Sequence, residues 1–531
     1  MSVRGLKYTF IFQGIILRSE AWYNTIQNYV GKWGKTVNRN ELRELMDQLF
    51  KESQSGYSIV RLESKREWGM RLSNGRFERV SSGWDSGIGV QAFTKEGVTG
   101  FASSDVLSLE AGQQVMQRAA ALAERNAKIG AEANRKIFEA PRLVEDAEEP
   151  RVYPFEHFSL AELQEIVLSL HQRLRERNPE IAWQTSYRQV EDLWYIGRSD
   201  GTRVSFVIPR AVLMHQGTVR ENGRAQSTLI SRSGVDVEIL LLEKEEASLE
   251  NKALERAEFS KEVCRAPQLS SGHYPLVIDY GLAKGLAHEA FGHAVESDHM
   301  KESVLGEKGK LRKGLQVARA GVHIMDGPLV GDWAYQPYSA NGLKRETVEI
   351  VKDGILLAGL GDIFSAEEAG MEVTGAGRAE SYGYIPIPRM TNIRLLVDQE
   401  ILLPQTSSLK EEIKKVREVL KEKGELCEEG KHLLLLGYRG GQVNPKTGDF
   451  VFQCDGMIDL ADPSLPVYQP SIFSGKIISA LQAIRGGLGQ GCYDAIGTCG
   501  KSGQSVPSSG GSHRYLLLEQ DEQVSLGGEQ G

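Results

Sequence analysis

Two imidazoles and a carboxylate within six residues are the first chemistry this sequence offers: His288, Glu289 and His293, in GLAKGLAHEAFGHAVESD at 281–298. On a helical wheel of about 100° per residue, Ala283, Leu286, Ala287, Ala290, Phe291, Ala294 and Val295 fall on one arc. His288, Glu289, Gly292, His293 and Glu296 fall on the other. The run predicts a buried helix that presents a polar face. Imidazole nitrogens hold divalent metals, and a neighbouring carboxylate suits proton transfer with a metal-activated water. The spacing His-Glu-x-x-x-His is one residue longer than the usual zinc motif. On an ideal helix it sets the two histidine Cα atoms about 8.7 Å apart rather than about 6.2 Å. Both rings can reach one ion if the side chains lean inward or the helix widens, and Gly292 eases a local π-type distortion. The competing reading is an ordinary histidine pair beside an acid. Glu296, one turn beyond His293, reads either as an outer partner of that ring or as a solvated charge.

The elements that carry this face follow from periodicity and turn chemistry. Residues 40–53 (NELRELMDQLFKES), 107–127, 159–176 with Ser159 as N-cap, about 235–262 and about 408–424 read as helices. β-like runs fill the intervals, broken at Ser73-Asn74-Gly75, Lys95-Glu96-Gly97, Asp200-Gly201 and Asn222-Gly223. Segment 265–275 is Pro/Ser/Gly-rich and reads as a linker. Residues 505–512 and 525–531 are Ser/Gly-rich and expected to be mobile. The predicted class is α+β, with an N-terminal mixed α/β domain followed by a β-rich C-terminal domain carrying the metal-binding helix. The expected boundaries are a leader and helix at 1–52, a first domain at 53–264, the linker, a second domain at 276–520 and a flexible tail at 521–531.

Composition narrows the partners. With 40% hydrophobic and 25% charged residues the chain is globular, and its net charge of -8 argues against nucleic acid. Cys264, Cys427, Cys454, Cys492 and Cys499 show no Cys-x-x-Cys pair and fit a reducing compartment. No window approaches the roughly 20 apolar residues of a membrane span. The apolar run at 8–17 is interrupted by Gln13 and followed by Arg18 and Glu20 without a cleavage site, so a cytoplasmic protein is expected. Met46 is an alternative start.

HEAFGHAVESD at 288–298, GRAESYGYIPIPRMTN at 377–392, GGQVNPKTGDFVF at 440–452 and GTCGKSGQSVP at 497–507 together resemble the TldD/PmbA family, once described as DNA gyrase modulators and now regarded as peptidases. GIGVQAF at 87–93 and TGFASSD at 99–105 agree, so the resemblance spans about residues 57–507. The complete His-Glu-x-x-x-His motif places the chain with the catalytic, TldD-like members. The resemblance implies Zn2+ held by His288, His293 and Cys499, with Glu289 as catalytic base for peptide-bond hydrolysis. Lys501, two residues beyond Cys499, offers a cation that favours thiolate. Cys492, His299 and Glu296 compete as third ligand. Tyr382 and Arg389 read as substrate-positioning or oxyanion-stabilising groups, or as parts of a structural turn with a surface arginine. The implied substrates are unfolded or extended peptides gripped as an added strand, and the implied assembly is a homodimer or a pair with a PmbA/TldE-like subunit. A non-hydrolytic adaptor or regulatory subunit of such a complex is the rival reading. The tail after Pro507 and the charged segment 408–432 depart from the family's pattern.

Overall fold

Caps and turns chosen by the sequence set the first half of the molecule. The computed structural model describes residues 37–52, 56–151, 153, 157–241, 248–427 and 429–527. In chain order, helix α1 (Arg39–Glu52) precedes strands β1 (Ser58–Ser73), β2 (Arg76–Phe93) and β3 (Thr99–Ser104). Helix α2 (Leu109–Lys128) and the short strand β4 (Val144–Asp146) come next. Helix α3 (Leu160–Arg177) leads into β5 (Ala182–Arg198), β6 (Arg203–Glu221) and β7 (Arg224–Gly234), followed by α4 (Leu249–Arg265). Ser159 and Glu162 close a reciprocal capping box on α3, satisfying backbone donors that a helix start leaves open. Asn74-Gly75 and Asn222-Gly223 all adopt positive φ, between 52° and 76°, the conformation that matches a tight hairpin to strand twist. The helix expected at 235–262 is narrower: a turn at Glu238–Leu241 and then α4, with 242–247 outside the described residues. The apolar run at 8–17 also lies outside them.

Among the described residues, β1–β7 form one sheet in the order β3-β2-β1-β5-β6-β4, with β7 on the far part of β6. The second half builds a twelve-stranded sheet. Its centre runs through β8 (Leu276–Asp279), β9 (Val322–Gly327), β10 (Val348–Lys352), β11 (Asn392–Val397), β12 (Leu433–Leu436) and β13 (Gly456–Asp459). Helix α6, as numbered here after the site helix α5 (Tyr280–Gly285), spans Leu409–Glu422. Strands β14 (Ile484–Cys492), β15 (Gly497–Lys501) and β16 (Gln504–Leu518) belong to it as well, with two-residue strands at Ile355–Leu356, Glu400–Ile401 and Val467–Tyr468. The spatial order is β10-β9-β11-β16-β8-β12-β13, so the last long strand lies in the middle.

That corrects the expectation of mobility at 505–512. Ser508, Ser509 and Ser512 are fully buried; Ser509 Oγ donates to Asp332, and Ser512 Oγ donates to the Leu395 carbonyl at 2.6 Å. A Cβ on Gly510 would sit 1.9 Å from the Ile393 carbonyl oxygen, so the small residues permit close strand approach rather than disorder. In the expected flexible tail, Val524–Leu526 likewise pairs antiparallel with Ile472–Lys476. No helix among the described residues is long and apolar enough to cross a membrane.

Candidate metal centre

Asp279 ends β8 and starts the site helix: its Oδ1 accepts from the Leu282 amide at 3.0 Å. Helix α5 then passes into a π-helical turn at Leu286–Gly292 and a 3-10 turn at His293–Val295, and Glu296 is already extended. The local widening that the motif's spacing requires is therefore present. The His293 amide donates to the His288 carbonyl, an i to i+5 bond that brings the two motif histidines onto one side. Beneath them, Leu286, Ala287, Ala290, Phe291, Ala294 and Val295 are at most 1% exposed. Full burial of a residue such as Phe291 contributes about 1.5–3 kcal/mol, which anchors a helix weakened by its own irregularity. Gly292 packs where a Cβ would meet Met390 Sδ at 2.0 Å, so glycine also serves the contact with the strand-side loop.

The polar face meets a thiol from the far end of the chain. Donor atoms of His288, His293 and Cys499 all lie within 4.8 Å of one another. Cys499 Sγ is 3.5 Å from His293 Nε2, and the two rings are nearly perpendicular, 5.3 Å apart at their centroids. Glu289 sits between the rings, its carboxylate oxygens 4.0 Å from His288 Nε2 and 3.9 Å from His293 Nε2. Its side chain is 23% exposed, the face's opening to water. His288 is wholly buried, yet neither ring nitrogen has a hydrogen-bond partner among the described residues. A buried polar atom without a partner is expensive, and two on one ring between a thiol and a second imidazole fit metal ligation.

The charge state of His288 supports that fit. Burial, and then Lys284 and the neighbouring cations, hold His288 well below the ordinary imidazole range, so the ring is neutral. Burial also pulls on His293, but Glu296 and the thiol outweigh it and hold that ring well above the ordinary range. Glu296 accepts from His293 Nδ1 at 3.0 Å and from Lys501 Nζ at 2.8 Å. Burial opposes ionisation of Glu296, but these two cations bring its carboxyl down to about 2. Of the two readings of Glu296, the structure supports the outer partner that fixes the ring, as ligating histidines require.

The sequence candidates are distributed unevenly. His288, Glu289, His293 and Cys499 converge, and Arg389 joins them, fully buried rather than on the surface. Its Nε donates to Cys499 Sγ at 3.3 Å and its Nη2 to the Cys499 carbonyl. Arg389 is thus the cation bonded to the sulfur, whereas Lys501, expected there, pairs with Glu296 and Asp298. Tyr382 is in another setting: its amide donates to Glu63 at 2.6 Å, its ring rests over Gly87 and its backbone carbonyl over Gly89, where any Cβ would collide with it. This joins the GIGVQAF and GRAESYGY stretches across the two sheets. Cys492 contacts the Gln490 carbonyl at 3.8 Å and is not among the converging donors; His299 groups with Glu296 and Asp298 instead.

Three domain models of the PmbA/TldA metallopeptidases match: domain 1 over 59–127, the central domain over 153–259 and the C-terminal domain over 271–488. The chain belongs to the PmbA/TldD family of metallopeptidases. By that membership it is a peptidase. It is 32% identical over 270 residues to a metalloprotease of Archaeoglobus fulgidus, an alignment covering 50% of this chain and 57% of that one. It is 26% identical over 461 residues to a metalloprotease of Methanocaldococcus jannaschii, covering 86% and 94%. TldE from Thermococcus kodakarensis shares the fold, with a TM-score of 0.67 at 14% identity, covering 92% of this chain and 100% of that one.

Within the family fold, two site-lining residues escaped the sequence reading. Lys284, one turn before His288, falls about 40° from it on the wheel, at the border of the apolar arc. Tyr438 packs its ring against Gly285 and feels the Glu289 charge; only its glycine-rich setting hinted at a close approach.

Proposed function

We propose that this chain hydrolyses peptide bonds using zinc held by His288, His293 and Cys499, with Glu289 as the base. The carrying observation is the buried, unpartnered His288 ring beside a second imidazole and a thiol. Two nitrogens and one sulfur suit a borderline-soft ion and leave a fourth position open. Bound there, zinc supplies Lewis acidity, polarising a carbonyl and lowering the pKa of a bound water towards about 7.

The protein's own groups do the rest. Glu289 takes the proton of the attacking water and returns it to the leaving amine. Glu296 holds the His293 ring through Nδ1, so that Nε2 faces the sulfur. Arg389 holds Cys499 from two sides; we assign it this positioning role rather than substrate contact, and assign Tyr382 to the seam between the sheets. An unfolded or extended peptide is the substrate this reading favours, and β7, bonded to β6 along one side, is an edge suited to an added strand. The fold shared with TldE supports a partner subunit of that kind, with a homodimer as the alternative assembly. An adaptor without hydrolytic activity has no need of the donor set or of Glu289.

Glu289→Gln tests the reading. The variant should keep its metal while cleavage of an unstructured peptide falls about 100- to 10,000-fold. Cleavage at the normal rate would remove Glu289 from the mechanism.

A further inference from the structure

A cavity of about 440 Å³ opens beside the site helix, lined by Lys284, Tyr438, Arg256 and the β7 residues Ser227–Ser231. Its size suits a small ligand or the end of a chain rather than a folded surface. Tyr438, whose ring packs against Gly285 one turn before Glu289, forms the wall on the side of the site helix.

The cations lining it are paired unlike others nearby. Arg345 meets Asp326 at 2.8 Å, and Lys501 meets Glu296 at 2.8 Å. Lys284 is 3% exposed, makes no ion pair among the described residues, and reaches only Ser508 Oγ, at 3.5 Å. Arg256 is 3.7 Å from Asp279, and its other terminal nitrogen, Nη1, is buried without a partner. The acids lining the cavity match its cations in number but leave the Lys284 ammonium and Arg256 Nη1 open. Asp279 is engaged by the Leu282 and Gly437 amides, Asp455 by Arg439 at 2.6 Å, and Asp494 is exposed. A buried ammonium and a buried, unpartnered guanidinium nitrogen lining one cavity call for a carboxylate.

We propose that this cavity receives the free α-carboxylate of a peptide's C-terminus, bound by Lys284 and Arg256, so that the enzyme trims peptides from that end. This rests on the hydrolytic reading above and adds a substrate class to it. The reaction stays a hydrolysis: water's hydroxyl joins the acyl carbon, the amide C–N bond breaks, and the proton goes to the released amine.

The test compares two unstructured peptides that differ only in ending as carboxylate or carboxamide. With the zinc-loaded protein, kcat/KM should favour the free acid about 10- to 100-fold, and mass spectrometry should show products shortened from the C-terminus. Lys284→Met and Arg256→Gln should each pull the ratio towards one. Zinc-loaded Glu289→Gln, titrated calorimetrically with the same peptides, should bind the acid more tightly, which reads the subsite without turnover. Equal cleavage of both peptides, internal cuts, or equal binding would overturn the subsite while leaving hydrolysis intact. A Lys284→Met loss equal for both peptides would do so too, placing Lys284 at the reacting carbonyl. Cleavage of neither peptide by a metal-loaded protein would sink the hydrolytic reading, and the binding comparison would still decide the subsite.

Discussion

The molecule holds two histidine pairs, and the proposed metal centre uses one of them. In the first sheet, the Gly75 amide donates to His171 Nε2, His171 Nδ1 lies 3.0 Å from Thr185 Oγ1, and Thr185 Oγ1 lies 3.0 Å from His215 Nδ1. With the Gly75 bond fixing the first tautomer, His171 donates to the threonine and the threonine donates to His215. Both rings are neutral links in this chain, which leaves His215 Nε2 as its one buried ring nitrogen without a partner among the described residues. On the site helix, His288 has no such link, and His293 is turned by Glu296 towards a thiol. Burial of imidazoles is common to both. Unused nitrogens facing sulfur and carboxylate distinguish a site from a strut.

Perturbing each pair sharpens that contrast. Glu296→Gln should weaken metal affinity about 10- to 100-fold, because His293 loses the carboxylate that orients it. Competition with a chelator measures this, and unchanged affinity would return Glu296 to a merely structural role. Thr185→Val should leave metal content unchanged but cost about 1–3 kcal/mol of stability, by stranding two buried ring nitrogens. A denaturant midpoint reads it. The smallest effect is on pH. Burial lowers His171 to about 4 and His215 to about 3, from 6.5 in the unfolded chain. The unfolded state therefore binds protons first as pH falls. Stability from this pair is complete above pH 6.5 and should decline progressively from there towards about pH 3. Melting temperatures in metal-free buffer should fall as pH is lowered across that range.

What was legible in the sequence was local. The apolar arc of 283–295, the distortion eased at Gly292, the Ser159 N-cap of α3 and the Asn-Gly hairpins are all settled by neighbours within a turn or two. The third donor was not. Cys499 lies 206 residues from His293 and Arg389 110 residues from Cys499, so only resemblance to a family, never spacing, pointed to the first. Arg389 was noticed but read either as facing substrate or as a surface residue of a turn, because an arginine beside prolines carries no mark of a buried sulfur partner. The serines of β16 were misread because small polar residues serve a crowded central strand as well as a loop; what separates the two is which carbonyls lie opposite. Lys284 was hidden at the edge of an apolar arc.

The central claim is that one ion joins two imidazoles of a widened helix to a distant thiolate. X-ray absorption on the zinc-loaded protein tests it most directly. The account predicts a shell with one sulfur at about 2.3 Å and two imidazole nitrogens at about 2.0–2.1 Å, with the sulfur lost in Cys499→Ala. A shell of nitrogen and oxygen alone in the unmutated protein would contradict it.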